Sequence, residues 1–323
     1  MRKALIVGID YYQSSPLYGC VNDAHSMNSV LSRHGNRMIN FECKLMTATS
    51  SHDAITRGEI KDAVTELFSQ QVEVALFYFA GHGHVESTGG YLCASDALRG
   101  DDGLSLNDIL TIANGSKASN KIIILDSCHS GIAGDIPTVP DVALLSEGTT
   151  ILTASTKEQY ASEDNGHGVF TSLLIDALSG GAANIMGEIT PGSIYAHIDQ
   201  ALGAWEQRPV FKSNVKNFIS LRKIEPLISL TDLRKIDHYF PTPGYTFNLN
   251  PSFEPNENGK SEGMDKGDPD NTDIFAVLQK YNRLGLLVPN DSEHMWNAAI
   301  ESKSCSLTAL GEHYRKLAAK ERF

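Results

Sequence analysis

The chain lacks a long apolar run, an excess of positive charge and any internal repeat. No apolar run approaches the roughly 20 residues of a membrane-spanning helix, so the sequence carries no signal for a transmembrane protein. The segment Met1–Asp10 has an apolar core too short for a signal peptide and predicts a strand. The net charge of −12 disfavours non-specific binding to nucleic acid or to an anionic membrane.

Cysteine is scarce and shows no pairing pattern. The five cysteines are widely spaced, odd in number and free of any CxxC pair, which argues against a disulfide framework and a structural zinc site. The predicted compartment is therefore a reducing cytoplasm. These residues are Cys20, Cys43, Cys93, Cys128 and Cys305.

The sequence does contain buried strands that alternate with helices. Apolar runs predict strands at residues 3–10, 41–48, 72–81, 121–127 and 149–155. Helical spacing predicts helices at residues 22–35, 55–70, 105–115 and 168–180. The first helix has Asn22 as its predicted N-cap and Gly35 as its stop, and Ser105 is the predicted cap of the third. This alternation predicts an α/β fold, a three-layer sandwich with a mainly parallel sheet.

A change in composition divides the chain. The alternation predicts a first domain at residues 1–240, followed by an acidic, flexible linker at residues 241–272. Between Pro251 and Asn271 the linker has six acidic residues and two lysines. Residues 273–323 return to helical spacing and predict a small, mainly helical or winged-helix-like module. Its seven basic and six acidic residues form no basic stripe, which favours a regulatory or protein-docking role over DNA binding.

Polar side chains follow two of the predicted strands. His82 and His84 follow the third strand, and Cys128 follows the fourth. In open α/β sheets the functional site lies at the carboxyl ends of the strands, so parallel neighbours would bring His82 and Cys128 to one edge. A cysteine and a histidine in this relation form a nucleophile and base. The glycines beside them allow close approach of a substrate and leave amides free to hold an oxyanion.

Two other readings of this cluster stay open. Cys128 could be an inert buried thiol, as most cysteines are. His82, His84, Cys128 and His129 also have ligand types for zinc or copper. His84 and His129 alternate with the two catalytic candidates along extended backbone, which predicts that they point elsewhere and serve a structural role.

These segments resemble the caspase-like cysteine peptidases, in particular the metacaspase and bacterial orthocaspase branch. The resemblance covers about Met1 to Leu221. It implies Cys128 as the nucleophile, His82 as the general acid/base, and the amides of Gly83 and Cys128 as the oxyanion hole. The motifs that carry it are "ALIVGIDYY", "GCVNDA", "FYFAGHGH", "IIILDSCHSG", "ILTASTKEQYASE" and "GVFTSLLIDAL".

The resemblance also implies an acidic S1 pocket. Asp126 precedes Cys128 by two residues, so both side chains are predicted to face the same side of the strand end. In the resembling family this aspartate lines the S1 pocket together with the one that Asp23 matches. Two carboxylates suit an arginine or lysine side chain. The alternative for Asp23 is an ordinary acid in the first turn of a helix. Ala80 stands where the family usually has serine, so one pocket hydrogen bond is expected to be missing.

Four more acids match the contexts of a calcium site in calcium-dependent metacaspases. Carboxylates from separate loops are suitable calcium ligands, and surface acids are the alternative reading. The stretch between Asp96 and Asp101 is shorter than is usual in the family. No cofactor is expected for the chemistry itself, and calcium is the candidate activator. The four residues are Asp96, Asp101, Asp102 and Asp135.

The sequence thus predicts a regulated cysteine endopeptidase that cuts protein substrates after arginine or lysine. By resemblance it is an effector of stress, antiviral defence or programmed death. Residues 129–156 contain no arginine or lysine, so no self-cleavage is expected there. Lys260 and Lys266 of the predicted linker are candidate cutting sites for this enzyme or an upstream protease, and the tail could bind a regulatory protein. The alternatives are a catalytically silent scaffold that binds a protein partner and a regulator that binds nucleic acid through its tail.

Overall fold

The protein is described from a computed structural model, which covers residues 1–127, 133, 135–136, 139–154, 163–164, 167–203, 208–255 and 260–323. Cys128 and His129 lie outside these described residues, as do residues 155–162. The chain forms two compact units, Met1–Glu225 and Pro226–Phe323.

The strands and helices are numbered here in chain order. The strands are β1 (Arg2–Ile9), β2 (Glu42–Ala48), β3 (Val74–Ala80), β4 (Gly83–Glu86), β5 (Gly89–Leu92), β6 (Leu104–Ser105), β7 (Asn120–Asp126), β8 (Asp135–Ile136), β9 (Val139–Ala143), β10 (Thr149–Thr153), β11 (Glu163–Asp164), β12 (His167–Gly168), β13 (Glu188–Ile189), β14 (Val210–Asn214), β15 (Arg222–Lys223), β16 (Thr246–Asn248), β17 (Leu287–Asn290) and β18 (Ser304–Leu307). The helices are α1 (Cys20–Ser32), α2 (Arg57–Ser69), α3 (Leu106–Asn114), α4 (Val169–Asp176), α5 (Pro191–Ala201), α6 (Leu230–Arg234), α7 (Ile236–Tyr239), α8 (Pro269–Arg283), α9 (Met295–Ile300) and α10 (Ala309–Ala318).

The first unit is built on a six-stranded sheet in the order β14-β10-β7-β3-β1-β2. All neighbours in it are parallel except the edge strand β14, which runs antiparallel to β10. Helices cover both faces: α2 and α3 pack on one, and α1, α4 and α5 on the other. Because both faces are covered, every residue of β3 and β10 is buried. The predicted three-layer α/β fold is confirmed.

Helix α1 begins earlier than the sequence predicts. Its N-cap position is Gly19, and the first amides, those of Cys20 and Val21, donate to Asp10 Oδ1 at 2.9 and 3.3 Å. The prediction of Asn22 as the cap was therefore wrong, because a carboxylate at the end of β1 caps this helix from a distance in the sequence. Gly35 does not stop the helix either, since α1 ends at Ser32.

The other predicted caps and ends agree better with the structure. Ser105 Oγ accepts a hydrogen bond from the amide of Asn107 at 3.2 Å, which confirms it as the cap of α3. Helix α4 passes at Ala177 into a single wide turn that ends at Gly181. Gly180 in this turn has a φ of 143°, a conformation that favours glycine.

The second unit begins at Pro226 and includes most of the segment predicted as a linker. Strand β16 pairs with β18, which also pairs with β17, in a three-stranded antiparallel sheet beside the helices. Phe247 and Phe253 lie in ring contact at 5.7 Å, and Phe253 contacts Phe275 of α8 at 6.4 Å. The predicted boundary at residue 240 and the linker at 241–272 therefore differ from the structure. The Pro, Gly and Asn content of this stretch gave no indication of these aromatic contacts, in which Phe253 is buried and Phe247 is partly buried.

No helix in the described part of the chain combines the length and apolar character that crossing a membrane requires. In the same part of the chain, Cys43, Cys93 and Cys305 are free cysteines.

Candidate active site

His82 lies just beyond the carboxyl end of β3, where contacts from two loops hold it. Its amide donates to the hydroxyl of Tyr12 at 3.0 Å, and that hydroxyl donates to the carbonyl of Cys93 at 3.1 Å. The Tyr12 and His82 rings pack with their centroids 4.5 Å apart. His82 Nε2 lies 2.8 Å from the carbonyl oxygen of Ser15. The imidazole is thus oriented by its backbone amide, by Nε2 and by the ring contact with Tyr12.

These contacts assign the tautomer of His82. A carbonyl oxygen only accepts hydrogen bonds, so Nε2 carries the hydrogen that Ser15 receives. In the neutral ring this leaves Nδ1 as the basic nitrogen. Burial raises the pKa of Tyr12 well above its usual value, so Tyr12 stays a neutral phenol that can both donate and accept.

Gly81 makes this arrangement possible. A Cβ at this position would lie 2.5 Å from the Tyr12 hydroxyl oxygen and 2.9 Å from the ring of Phe79. Tyr12 could not reach the His82 amide beside a larger residue. The glycine before His82 is therefore required by the close approach of the Tyr12 side chain.

The nucleophile candidate Cys128 lies outside the described residues, but the strand that leads to it does not. Ala80 of β3 and Asp126 of β7 are register partners, and the Gly81 amide donates to the Asp126 carbonyl at 3.3 Å. In the sequence His82 follows Ala80 by two residues, and Cys128 follows Asp126 by two. The structure confirms that β3 and β7, the strands these two residues follow, are parallel neighbours.

The carboxylates of Asp23 and Asp126 converge on one point of the backbone, at Gly168. Both residues are buried, at 2% and 7% exposure. The Gly168 amide donates to Asp23 Oδ2 at 2.9 Å. A Cβ on Gly168 would lie 2.4 Å from Asp126 Oδ2 and 3.1 Å from Asp23 Oδ2. Two residues 103 positions apart in the sequence thus form one buried acidic pair, and Asp23 is shielded from solvent although it lies in the first turn of α1.

The segment around Gly168 supplies further contacts that the sequence did not predict. His167 Nδ1 lies 2.8 Å from Asp23 Oδ1, and Thr171 Oγ1 donates to Asp126 Oδ2 at 2.6 Å. The Thr171 hydroxyl gives its hydrogen to the carboxylate, so it accepts one from the buried Tyr78 hydroxyl at 2.7 Å. The only signal for these roles was the polar residues of "HGVFT" at the start of a helix that is otherwise apolar.

Burial sets the electrostatics of this acidic pair. It raises the pKa of Asp23, and the hydrogen bonds from Gly168 and His167 oppose that rise. Burial also raises the pKa of Tyr78 well above its usual value, and the charges of Asp126 and Asp23 raise it further. The negative potential of the two carboxylates therefore reaches the centre of the sheet.

Three more predicted site residues are placed by the structure. Ala80 is buried at 1% exposure and carries no hydroxyl, while Thr171 supplies one to Asp126. Gly83 begins β4 directly after His82 and is the register partner of Leu92. His84 Nε2 lies 3.2 Å from Glu86 Oε1, which agrees with a structural role.

Of the four predicted calcium ligands, the structure describes the side chains of three. Asp96 Oδ1 accepts from the Arg57 amide at 3.0 Å, and Asp102 Oδ2 accepts from the Arg99 amide at 2.9 Å. Asp101 lies 3.7 Å from Arg99 Nε. Only the backbone of Asp135, in β8, is described. Over the described ranges, no three His, Cys, Asp or Glu side chains are grouped so that they could hold a metal ion.

The fold and this site agree with a comparison to protein families. The caspase domain family matches residues 1–219, well over half of the chain. The chain therefore belongs to the caspase domain family, whose members are cysteine peptidases. The family resemblance inferred from the motifs is confirmed.

Two of the curated relatives that the chain is similar to are metacaspases. Metacaspase-1 of Schizosaccharomyces pombe is 29% identical over 155 residues, which cover 42% of this chain and 35% of the relative. Metacaspase-1 of Eremothecium gossypii is 30% identical over 161 residues, which cover 42% of this chain and 33% of the relative. The match thus spans about a third of the length of these relatives.

Solved structures support the fold. Caspase-1 of Spodoptera frugiperda aligns with a TM-score of 0.51 and 14% identity, over 69% of this chain and 90% of that one. A Geobacter sulfurreducens protein aligns with the same TM-score and 17% identity, over 69% of this chain and 97% of its own. At these identities the likeness concerns the fold alone.

Proposed function

We propose that this chain is an endopeptidase that hydrolyses peptide bonds after arginine or lysine, with Cys128 and His82 as its dyad. The observation that carries the specificity is the pair of buried carboxylates, Asp23 and Asp126, that face Gly168. Asp126 ends β7, the strand that precedes the nucleophile, and its register partner Ala80 precedes His82. The acidic pocket and the imidazole therefore belong to one edge of the sheet.

The proposed chemistry follows the acyl-enzyme route. His82 Nδ1 takes the proton of the Cys128 thiol, and the thiolate attacks the carbonyl carbon of the scissile bond. The imidazolium then gives that proton to the leaving amine, which breaks the C–N bond and leaves a thioester. A water molecule, deprotonated by His82, hydrolyses the thioester and restores the thiol. The Ser15 carbonyl stabilises the imidazolium through Nε2–H, and the amides of Gly83 and Cys128 are the proposed oxyanion donors.

The pocket explains why a cation would be selected. A guanidinium offers five donors in a plane, and two carboxylates accept from it while cancelling its charge. Both carboxylates are already oriented by hydrogen bonds from residues 167–171. Little ordering of the protein is therefore needed when the substrate binds. An aspartate at the same substrate position would meet two like charges.

A set of fluorogenic peptides that differ only at the residue before the cut tests this function. The full chain should cleave the arginine and lysine peptides, and the citrulline and aspartate peptides at least about 30-fold more slowly. The Cys128→Ala variant should cleave none of them. A preference for aspartate would overturn the pocket. No turnover, with no labelling of Cys128 by an arginine-derived electrophilic ketone, would favour a silent scaffold.

Calcium remains a separate proposal as an activator. It is supported by the family contexts of Asp96, Asp101, Asp102 and Asp135 in the sequence. Carboxylates of this kind could order substrate-binding loops around a calcium ion. Peptide cleavage should then rise with calcium and fall with a chelator, and a conformational change should show in intrinsic fluorescence. Full activity in the chelator would leave these residues as ordinary surface acids.

A role as a regulated effector of stress, antiviral defence or programmed death in the cytoplasm is likewise part of the proposal. It is supported by the metacaspase relatives and by the second compact unit, which contains none of the catalytic candidates. Protein substrates with arginine or lysine at the cut would be the partners. The protein substrates can be identified by comparing new peptide N-termini in cells with the wild type and the Cys128→Ala variant.

A further inference from the structure

The pair His167 and Gly168 holds Asp23 at both carboxylate oxygens, and the proposed chemistry gives His167 no task. His167 Nδ1 lies 2.8 Å from Oδ1, and the Gly168 amide donates to Oδ2 at 2.9 Å. A carboxylate only accepts, so Nδ1 carries a hydrogen whether the ring is neutral or charged. The bond to Asp23 therefore persists in both states, and Nε2 is the atom that gains or loses a proton.

Exposure separates the two partners of this bond. The His167 side chain is 41% exposed, whereas the Asp23 side chain is 2% exposed. The imidazole can therefore exchange protons with solvent, while the carboxylate it contacts belongs to the buried pocket. A change of charge on His167 therefore alters the electrostatic potential at the Asp23 carboxylate, which lies at hydrogen-bond distance.

We propose that His167 is a positioning residue that sets specificity: it fixes the Asp23 carboxylate, and its protonation reduces the negative charge that the pocket presents to a cationic substrate side chain. This inference rests on the proposed preference for arginine or lysine. With His167 neutral, Asp23 and Asp126 offer two negative charges. With His167 charged, the two carboxylates and the imidazolium together carry a net charge of −1.

Acidic residues predominate among the titratable residues in the sequences of the elements that pack against β12. Strand β12 packs against α1, α4 and β11, and the backbone of Asp164 pairs with His167. Asp126 lies across Gly168, and Asp10 acts on Asp23 through its charge. On α4, Asp176 lies 2.7 Å from His197 Nε2. The titratable residues that the three packed elements carry are Asp23, His25, Glu163, Asp164 and Asp176.

The expected effect follows from the charge. One unit charge at about 6 Å from a bound guanidinium, at an effective dielectric constant of about 20, changes affinity by about 10- to 100-fold. Histidine ordinarily takes up its proton between about pH 8 and pH 5. The preference for arginine over a neutral isostere should therefore be large at pH 8 and decline as the pH falls.

The test measures kcat/KM of the full chain on two peptides, one with arginine and one with citrulline before the cut, from pH 8.5 to pH 5.5. The ratio of the two values cancels the titration of His82 and Cys128, which acts on both peptides alike. In the wild type the ratio should fall about 10- to 100-fold over this range. The His167→Asn variant keeps an N–H donor near the Nδ1 position but does not titrate, so its ratio should change less than about threefold.

A matched control is His25→Asn, an exposed histidine on α1, which should behave as the wild type. The His167→Ala variant should lower the ratio at pH 8.5, where the wild-type ratio is expected to be highest, and His167→Asn should restore it there, which a purely structural role would not require. A wild-type ratio that is high and flat with pH overturns the inference and leaves the proposed specificity intact. If the ratio falls equally with pH in the His167→Asn variant and in the wild type, the inference is overturned and the proposed specificity again stays intact. A wild-type ratio near one at every pH overturns both proposals.

Discussion

The two parts of the active site are built in opposite ways. The His82 cradle, made of Tyr12, Ser15 and Cys93, holds a half-exposed imidazole largely through backbone groups. The carboxylate pocket holds two buried acids, with side-chain donors from the start of α4 as well as one backbone amide.

The difference follows from what each part is proposed to do. A general acid/base must exchange protons and reach the substrate, so it needs orientation without deep burial. A pocket that selects a cation works best where water is excluded, because charges act more strongly there. Buried acids must in turn be fully hydrogen-bonded to be tolerated.

The largest effect is expected when the cradle loses its imidazole. His82→Ala should lower kcat/KM for an arginine peptide by about 10²–10⁴-fold, because it removes the group that moves the proton in both half-reactions. The matched control is His52→Ala on an exposed histidine, which should retain wild-type rates. Near-normal turnover of a folded His82→Ala protein would remove His82 from the mechanism.

The pocket should respond next, and only for cationic substrates. Asp126→Asn keeps the size of the side chain and removes its charge, which should cost about 2–5 kcal/mol, or about 30- to 5000-fold, in kcat/KM for arginine. The citrulline peptide should lose far less. Asp62→Asn, on an exposed residue of α2, is the control for a change in net charge. An equal loss on both peptides would mean that Asp126 supports the fold rather than the selection.

The sequence predicted the strands and the acids of this site better than their surroundings. The continuous apolar runs before His82 and Cys128 indicated buried parallel strands, and the paired motifs indicated the family. The period of two and the family pattern placed Asp126 and Asp23 in one pocket. These features depend on local pattern or on motifs, so they can be read without coordinates.

The supporting contacts could not be read in the same way. His167 meets Asp23 across 144 positions, and the Tyr12 hydroxyl meets the His82 amide across 70. Such contacts depend on how α4 and the loop after β1 pack, and no periodicity records that. Composition also misassigned residues 246–255, where Phe247 and the buried Phe253 pack together among turn-forming residues. A glycine such as Gly35 indicated a helix end, while its real constraint is the Ile224 backbone, 2.8 Å from where a Cβ would lie.

A smaller change should separate the pocket geometry from its charge. Gly168→Ala places a methyl group 2.4 Å from Asp126 Oδ2, so the carboxylate must move and weaken its bond from Thr171. We expect a loss of about 10- to 100-fold for the arginine peptide, corresponding to one strong hydrogen bond. Gly58→Ala is the matched control, since its nearest contact would be 3.9 Å away. A wild-type rate in Gly168→Ala would show that the two carboxylates can accommodate the methyl group without loss of activity.

The cradle should tolerate the loss of a single hydroxyl better than the loss of its ring. Tyr12→Phe leaves the His82 amide and the Cys93 carbonyl without their partner, which costs about 1–3 kcal/mol of folding stability. The ring contact with His82 remains, so we expect kcat to fall about 3- to 10-fold with KM nearly unchanged. Tyr18→Phe, on a tyrosine that is 73% exposed, should change neither quantity. A rise in KM with kcat unchanged would instead indicate that Tyr12 contacts the substrate.

The smallest effect on either part of the site is expected from removing the second unit. A fragment that ends at Glu225 retains the His82 cradle, the carboxylate pocket and all six strands of the central sheet. It should cleave the arginine peptide within about threefold of the full chain, a difference of less than about 1 kcal/mol.

The position of the cut decides between the structural boundary and the one suggested by composition. A fragment ending at Asn250 carries β16 without β18, and it exposes Phe240 and Phe247, which contact each other at 6.0 Å in the intact unit. An unpaired strand with two exposed aromatic rings favours aggregation. The longer fragment should therefore be less soluble than the shorter one by size-exclusion chromatography. Lys266 is exposed, whereas Lys260 Nζ donates to the Glu254 carbonyl at 2.8 Å, so Lys266 is the expected point of limited trypsin cleavage. A folded but inactive 1–225 fragment would instead show that the second unit is needed for catalysis, and a stable 1–250 fragment would return the boundary to residue 240.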